Sequence, residues 1–288
     1  MNGIVIVDKP QDWTSQDVTA RLRRVFSTRR IGHGGTLDPM ATGVLPVFVG
    51  RATRGVEFFE HAEKTYETVL RLGVQTDTQD ITGTVLQQRE VNISQEQLLE
   101  TLNAFRGEIL QIPPMYSALK VNGQKLCDLA RKGKEVARPP RPVTIHELNL
   151  LSFDGQNAAL RVRCSKGTYI RTLCEDIGTA LGCLGTMASL RRTQAGDYTI
   201  AQAVPLQQLL EAVHPEEFLL PLDSMFLQYP ALTLTPNQET RCRNGNPFTH
   251  PAKNGTYRAY SQQGEFLMLA TVEDGMMRTV KSFFQVGE

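Results

Sequence analysis

The sequence predicts an α+β protein: a mixed, mainly antiparallel sheet with flanking helices, followed by a small C-terminal β domain. Strand and helix patterns are interspersed up to about residue 221, and the later segments are short β-prone runs separated by Gly, Asn and Pro. No internal repeat occurs at a fixed period, so no repeat architecture is indicated. The 288 residues have room for a main domain and a small one, which we place at 1–221 and 222–288.

The first elements follow from residue type and spacing. Gly3–Asp8 reads GIVIVD, which is typical of a strand. Thr14 and Asp17 form a capping box, which predicts the start of a helix. The apolar residues of this helix fall on one face, and the arginines occupy the other face. The next elements are predicted strands at Val44–Val49, Lys64–Gly73 and Thr84–Gln88, and a short helix at Thr53–His61.

The middle of the chain carries a second capping box, formed by Ser94 and Gln97, which predicts a helix through Phe105. Gly123–Lys132 has helical spacing within an otherwise irregular, proline-bounded segment. The later predicted elements are strands at Val143–Phe153 and Ala158–Ser165, helices at Thr172–Leu181 and Pro205–Val213, and the all-β runs ALTLT, GTYRAYS, GEFLMLATV and RTVKSFF after Pro221.

Composition excludes several classes of protein. No run of eighteen apolar residues occurs, and the apolar stretch at the N-terminus is too short for a signal peptide, so we expect a cytoplasmic protein without a membrane segment. The five cysteines contain no C-x-x-C pair and the five histidines are scattered, which indicates neither a disulfide framework nor a metal site. Any chemistry must then come from ordinary side chains.

Two basic segments stand out on a chain whose formal net charge is +1. Residues 21–30 contain five arginines and no acid, and residues 120–142 contain seven Lys or Arg against Asp128 and Glu135. Each segment is compatible with a solvated helix face or with a surface that binds a polyanion.

The segment GHGGTLDPMATGVLP (32–46) places one carboxylate, Asp38, among four glycines and two prolines. Such a stretch is typical of a turn, because Asp-Pro and Gly favour turn geometry. The same backbone freedom also permits the close approach of a ligand backbone to a functional carboxylate. The pattern alone leaves both interpretations open.

Three other side chains acquire meaning when they are considered with Asp38. Tyr66 lies in the predicted strand KTYETV, and Tyr169 and Arg171 are two residues apart in SKGTYIRTL, so in an extended segment both would point the same way. Taken singly they are half-buried aromatics and a surface charge. Together, a carboxylate, an arginine that keeps it ionised, two flat rings and basic patches suit an enzyme that extracts a base from RNA.

Six stretches of the sequence resemble the TruB family of tRNA pseudouridine synthases, in the family's order and nearly from end to end. They are DKPQDWTS (8–15), GHGGTLDPMATGVLP (32–46), KTYETVLRLGVQTDTQD (64–80), PPMYSALKVNGQKL (113–126), SKGTYIRTLCEDIG (165–178) and ASLRRTQAG (188–196).

The resemblance implies a role for each matching residue. Asp38 corresponds to the catalytic aspartate, Arg171 is expected to pair with it, and Tyr66 is expected to stack on the flipped base. His33 would take the place of the uridine that leaves the RNA stack. The remaining residues implied in substrate binding are Tyr169 and Leu190, which would line the pocket, and Asp80 and Lys9, which lie in motifs that shape it.

The resemblance also implies a substrate and a domain plan. The expected substrate is uridine 55 in the TΨC stem-loop of tRNA, and isomerisation needs no redox change or energy source, so no cofactor is expected. Residues 114–142 would form a mobile basic insertion over the RNA, with backbone contacts from Arg131, Lys132 and Lys134, and residues 222–288 would resemble a PUA domain. No protein partner is indicated, so we expect a monomer.

Two other functions are compatible with parts of the sequence. A phosphotransferase could use Asp38 as nucleophile, but such sites need further acids for Mg²⁺, often two residues after the nucleophile, where this chain has Met40. A non-catalytic RNA-binding protein would explain the basic segments. It gives no reason for Asp38, Tyr66 and Arg171 to occur together.

Overall fold

The computed structural model describes residues 1–121 and 123–285. The strands, in chain order, are β1 Gly3–Lys9, β2 Ile31–His33, β3 Thr42–Val49, β4 Lys64–Leu72, β5 Val74–Thr76, β6 Val85–Gln88, β7 Gly107–Gln111, β8 Lys120–Val121, β9 Gln124–Lys125, β10 Arg141–Phe153, β11 Asn157–Cys164, β12 Gly185–Ala195, β13 Tyr198–Thr199, β14 Val204–Pro205, β15 Ala231–Thr233, β16 Phe248–Thr249, β17 Gly255–Tyr260, β18 Phe266–Glu273 and β19 Met276–Ser282. The helices are α1 Ser15–Val25, α2 Val56–Phe59, α3 Gln95–Ala104, α4 Leu126–Ala130, α5 Ile170–Ala180, α6 Leu206–Glu211 and α7 Pro236–Arg243.

A ten-stranded sheet forms the main body, in the order β14-β1-β3-β12-β4-β11-β10-β7, with β2 paired to β3 and β13 to β12. The pairings β1 with β14 and β3 with β12 are parallel, and the other pairings within this sheet are antiparallel. This mixed, mainly antiparallel sheet with flanking helices confirms the predicted fold class.

Both predicted capping boxes are present. Thr14 accepts the Asp17 N–H at the start of α1, and Ser94 accepts the Gln97 N–H at the start of α3. The apolar faces of α1, α3, α5 and α6 share one core cluster with side chains of the large sheet. Leu22 of α1 and Ile177 of α5 are fully buried in that cluster. These helices therefore cover one face of the sheet.

The C-terminal region contains a five-stranded sheet in the order β15-β17-β18-β19-β16 and has its own apolar cluster. This sheet confirms the predicted small C-terminal β domain, but the helix α7, which packs Cys242 into the same cluster, was not predicted. Thr235 caps α7 in a box with Gln238, and Pro236 occupies the first turn. The division of the chain near residue 221 stays a prediction.

Some element bounds differ from those predicted. The helix expected at Thr53–His61 is a 3-10 turn over Gly50–Gly55 continued by the single turn of α2. The helical spacing at Gly123–Lys132 corresponds only to α4, since β9 precedes it. Within the described ranges, no helix combines the length and apolar character needed to cross a membrane.

The strand β12 was not predicted, although it lies in the centre of the large sheet. Its second half reads RRTQA, and these polar residues break the apolar alternation that marks a strand. Each of these polar side chains has a partner elsewhere in the fold, since Arg191 pairs with Asp8, Thr193 donates to the Thr65 carbonyl and Arg192 donates to the Val44 carbonyl.

Candidate active site

A cavity of about 860 Å³ lies where the loop between β2 and β3 meets the start of β4, the start of α5 and the segment after β7. The predicted site residues that line it are Asp38, Tyr66, Asp80, Arg131, Tyr169, Arg171 and Leu190. The remaining predicted residues, Lys9, His33, Lys132 and Lys134, are placed outside this lining.

Asp38 and Arg171 form a two-point ion pair in the cavity. The Nε atom of Arg171 lies 2.9 Å from Oδ2 of Asp38, and its Nη2 lies 3.3 Å from Oδ1. The guanidinium is fixed from behind, since it also donates to the carbonyls of Thr78 (3.1 Å) and Tyr116 (2.8 Å). Its side chain is 5% exposed, whereas that of Asp38 is 35% exposed and open to the cavity. The carboxylate is therefore oriented from one side and accessible from the other.

The loop that carries Asp38 is held by the segment that leads into α1. The Ser15 hydroxyl accepts the Leu37 N–H (2.9 Å) and donates to its carbonyl (3.3 Å). The Asp12 N–H donates to the Pro39 carbonyl at 2.8 Å. Residues on both sides of Asp38 are thus anchored, so the glycine-rich loop has a defined position.

Lys9 supports this loop from within the protein. Its ammonium is fully buried and donates to the carbonyls of Pro10 (2.9 Å), Trp13 (2.6 Å) and Pro39 (3.2 Å). Burial lowers the pKa of Lys9 to about 8. The structure places this predicted substrate-binding residue behind the loop, where it bonds the Pro39 carbonyl and does not line the cavity.

Burial raises the pKa of the Asp38 carboxyl above its usual value, and the neighbouring Arg171 opposes this effect. Asp80 is a second carboxylate nearby and also raises the pKa of Asp38. A carboxylate in this setting is a stronger base than one in water, and Arg171 keeps it largely ionised.

Asp80 is fixed in the turn between β5 and β6. Its Oδ1 accepts from the Thr78 hydroxyl (2.9 Å) and from the N–H and hydroxyl of Thr82 (3.0 and 2.6 Å). Because Thr78 also accepts from Arg171, the turn that holds Asp80 sets the position of the arginine. Asp80 therefore belongs to the same charged cluster as Asp38.

Tyr66 and Leu190 form the apolar part of the cavity and project from adjacent strands. In the pairing of β4 with β12, Tyr66 lies opposite Arg192, and Thr68 lies opposite Leu190. Tyr66 and Leu190 are each 8% exposed. Burial raises the pKa of the Tyr66 hydroxyl, so it is protonated near neutral pH. An aromatic ring and a branched aliphatic side chain in one cavity can hold a flat base.

Tyr169 is the N-cap residue of α5, and Arg171 lies in the first turn of that helix. The expectation that both lie in an extended segment is wrong, because the helix begins two residues earlier than its apolar pattern indicates. The Gln111 side chain accepts the Tyr169 N–H (3.0 Å) and donates to its carbonyl (3.2 Å). This clamp brings Tyr169 into the cavity lining together with Arg171 despite the helical geometry.

His33 lies at the end of β2, opposite Val47 of β3, five residues before Asp38. Its Nδ1 is buried and has no hydrogen-bond partner among the residues that the structure describes. Burial lowers the pKa of His33, so the ring is neutral at physiological pH.

The predicted RNA-backbone residues are exposed at and after the end of α4. Arg131 lines the cavity and lies 3.6 Å from Asp128, and Lys132 and Lys134 project into solvent nearby. The charge of Arg131 therefore lies in the cavity lining, and those of Lys132 and Lys134 are exposed to solvent one and three residues further along the chain.

Sequence reasoning missed the exposed Lys166 and two buried cations in the cavity lining, Lys64 and Arg192. Arg192 is 1% exposed and donates to the carbonyls of Val44 (2.7 Å) and Gly35 (3.0 Å). Lys64 is 8% exposed and donates to the Ala62 carbonyl. The signal that could have found the two buried cations is strand alternation, since Lys64 is two residues from Tyr66 and Arg192 two from Leu190.

Comparison with protein families gives two matches that together run from residue 23 to residue 227. Residues 23–170 match the TruB family pseudouridylate synthase N-terminal domain, and residues 171–227 match the tRNA pseudouridylate synthase B C-terminal domain.

Curated relatives match over nearly the whole chain. A tRNA pseudouridine synthase B from Pseudomonas fluorescens strain Pf-5 is 47% identical over 285 residues, which cover 96% of this chain and 93% of the relative. One from Clostridium kluyveri is 38% identical over 98% of this chain and 100% of the relative.

Solved structures share the fold at lower identity. A chain of a Cbf5-Nop10-Gar1 complex superposes with a TM-score of 0.74 at 22% identity, covering 99% of this chain and 85% of that one. A chain of an archaeal box H/ACA sRNP Nop10-Cbf5 complex gives 0.72 at 24% identity.

These matches confirm the resemblance on which the sequence analysis relied. The protein is an enzyme of the pseudouridine synthase class. The chain belongs to the TruB family of pseudouridylate synthases. This assignment favours a synthase over the phosphotransferase and over the non-catalytic RNA-binding protein that the sequence alone left open.

Proposed function

We propose that the enzyme converts uridine to pseudouridine in tRNA, at position 55 of the TΨC loop, by flipping the base into the cavity beside Asp38. The observation that carries this proposal is the Asp38–Arg171 pair, at 2.9 Å, within a cavity that Tyr66 and Leu190 also line. The family match and the relatives named tRNA pseudouridine synthase B support the choice of tRNA.

The reaction breaks the C1′–N1 bond of the uridine, turns the detached uracil and joins it to the sugar through C5. Asp38 acts by attack on C1′, by attack on the base or by removal of the 2′ proton, and each role requires an ionised oxygen that faces the nucleotide. The pairing with Arg171 keeps that oxygen ionised and fixed. The isomerisation is redox neutral, so we propose that no cofactor takes part.

The detached base must remain in the cavity between the two bond changes. In our proposal Tyr66 stacks on the uracil, and Leu190 and Tyr169 limit its movement. His33, neutral and close to the catalytic loop, fills the space that the flipped uridine leaves in the RNA. Asp80 holds the turn that positions Arg171.

The RNA is held outside the cavity by basic residues. We propose that Arg131, Lys132 and Lys134, in the insertion at residues 114–142, contact phosphates of the tRNA arm. Residues 222–288 form a second, PUA-like RNA-binding domain in this scheme, and residues 1–221 the catalytic domain. We propose that the enzyme acts as a monomer without a protein partner.

The test is incubation of the purified protein with unmodified tRNA transcript, followed by mapping of pseudouridine at single-nucleotide resolution. The expected product is pseudouridine at position 55 alone, and a transcript with cytidine at that position should yield none. Pseudouridine at another position would overturn the assignment to the TΨC loop, and its absence from wild-type transcript would overturn the proposed substrate.

A further inference from the structure

Lys64 and Arg192 are buried cations on the face of the sheet that carries Tyr66. Lys64 is 8% exposed and Arg192 is 1% exposed, and both line the cavity. Neither lies within 4.0 Å of a carboxylate oxygen among residues 1–121 and 123–285. Burial of a cation without an acidic partner is unfavourable, and a negatively charged ligand would remove that penalty.

The protein compensates these charges only in part. Lys64 donates to one carbonyl, that of Ala62, and its ammonium lies 5.8 Å from the centre of the Phe59 ring. Glu60 is a nearby acid, but its side chain is exposed to solvent. Burial and the neighbouring Arg192 lower the pKa of Lys64 to about 8, which an anion beside the ammonium would reverse.

In the glycine-rich loop, Gly35 lies directly beside both cations. Gly35 is exposed and has a φ of +90°, and a Cβ there would lie 3.3 Å from Nη1 of Arg192 and 3.7 Å from Cε of Lys64. Glycine at this position permits a ligand backbone to approach the two side chains closely. The approach is across the same loop that carries Asp38.

The spacing of Lys64 and Tyr66 along β4 fits a ligand that carries both a base and a phosphate. Lys64 and Tyr66 are two residues apart on one face of the strand, a separation of about 6.6 Å. If a base rests on Tyr66, a phosphate of the same or the adjoining nucleotide falls within reach of Lys64. Several oxygens on one anion can also bond an ammonium and a guanidinium from two strands at once.

We propose that Lys64 and Arg192 hold one phosphodiester group of the RNA strand, next to the nucleotide whose base contacts Tyr66. These positioning residues set the depth to which the nucleotide enters the cavity, and so the distance of its sugar from Asp38. The proposal deepens the proposed function and rests on it, except that the anion site itself exists in the free protein.

The first experiment uses inorganic phosphate as the probe on the full chain. Phosphate should raise the Tm of the wild-type protein above that in chloride at equal ionic strength. Lys64→Met keeps the aliphatic stem and removes the charge, so phosphate should bind it about tenfold more weakly, as expected for one charge-assisted hydrogen bond. Lys166→Met removes an exposed lysine of the same cavity lining and serves as the matched control.

The control variant should retain the response to phosphate. Equal losses in Lys64→Met and Lys166→Met, or an unchanged response in Lys64→Met, would contradict a specific buried site. This arm needs no isomerisation. If the protein binds phosphate through Lys64 but makes no pseudouridine, the anion site is supported and the proposed function is wrong.

The second experiment places neutral methylphosphonates one at a time in the loop of an RNA stem-loop. At one position beside the target uridine, the wild-type protein should lose about tenfold in affinity, and Lys64→Met should lose less than about twofold. Equal losses for both proteins at every position would overturn the proposal. The proposal would also be overturned if Lys64→Met bound every RNA normally but turned over slowly, because Lys64 would then act on the reacting base and not on a phosphate.

Discussion

The side chain of Asp38 is subject to two opposing effects. Its partial burial and the nearby Asp80 raise its pKa, and Arg171 at 2.9 Å favours the ionised form. An aspartate with only one of these effects would be either an ordinary weak base or a protonated acid. The combination gives a carboxylate that is ionised and yet incompletely solvated, which suits a nucleophile or a base.

Tyr66 gives a test of how the base is held. Stacking on an aromatic ring is worth about 1–3 kcal/mol, so Tyr66→Phe should keep most of the RNA affinity and Tyr66→Leu should lose between about fivefold and a hundredfold. The Arg192 guanidinium donates to the carbonyls of Val44 and Gly35, so we expect it to keep its position in either variant. The measurement is a binding titration paired with a single-turnover pseudouridine assay.

The matched control is Tyr198→Phe, since Tyr198 is 4% exposed and its hydroxyl bonds Ser224 outside the cavity lining. This variant should bind RNA like the wild type. If Tyr66→Phe and Tyr66→Leu bind RNA equally well and both fail to turn over, the hydroxyl acts in the chemistry and the stacking role is wrong.

The loop between β2 and β3 shows how an irregular element becomes a precise one. Ser15, Asp12 and Lys9 hold the backbone at Leu37 and Pro39, on either side of Asp38. We expect the glycines before Asp38 to leave room for RNA, and the anchors between the end of β1 and the start of α1 fix the loop on both sides of the carboxylate. The backbone freedom of the loop and the hydrogen bonds that hold it are thus supplied by different parts of the sequence.

The segment after α4 carries a second prediction. If Lys132 and Lys134 contact phosphates, replacing both by Ala should make the log–log slope of RNA affinity against salt shallower by about one to two units. Replacing the exposed Arg89 and Arg161, which lie outside both basic segments, should leave the slope unchanged. Binding is measured by filter titration from low to physiological salt. If the slope is the same for the Lys132/Lys134 variant and the wild type, these lysines do not contact phosphates and belong to an ordinary solvated surface.

Elements with local signals were predictable, and those that depend on distant partners were not. Thr14 and Ser94 mark the starts of α1 and α3 because a capping box is complete within four residues. The strand β12 carries polar residues that only its neighbours in the sheet explain, since Arg192 reaches carbonyls of β3 and of the preceding loop. Its assignment required the three-dimensional structure.

In the molecule as a whole, the large sheet and the C-terminal sheet are joined by a compact set of contacts. Phe226 packs against Phe58 and Phe283, and Arg51 lies 3.2 Å from Glu265. These contacts hold the C-terminal sheet against the segment between β3 and β4, close in sequence to the loop that carries Asp38. An RNA that contacted both the C-terminal sheet and the loop that carries Asp38 would therefore bind two parts of the protein whose relative position is fixed.

The candidate site was largely recognisable in the sequence because its motifs keep a family's order. The sequence did not predict which of these residues line the cavity together. Lys9 lies behind the loop, whereas Lys64 and Arg192 enter the cavity through strand pairing that no single motif contains. The individual roles of the site residues stay predictions until variants are assayed.

The measurement that tests the account most directly is a pseudouridine assay on Asp38→Asn beside an RNA-binding titration of the same preparation. Asn is nearly isosteric and keeps a hydrogen-bond acceptor for Arg171, so folding should be close to intact and tRNA affinity within about tenfold. Turnover should fall below detection, because no other described carboxylate of the cavity is paired with Arg171. Asp77→Asn, in the turn beside Asp80 and outside the cavity lining, should remain active. Appreciable pseudouridine from well-folded Asp38→Asn would contradict the central claim.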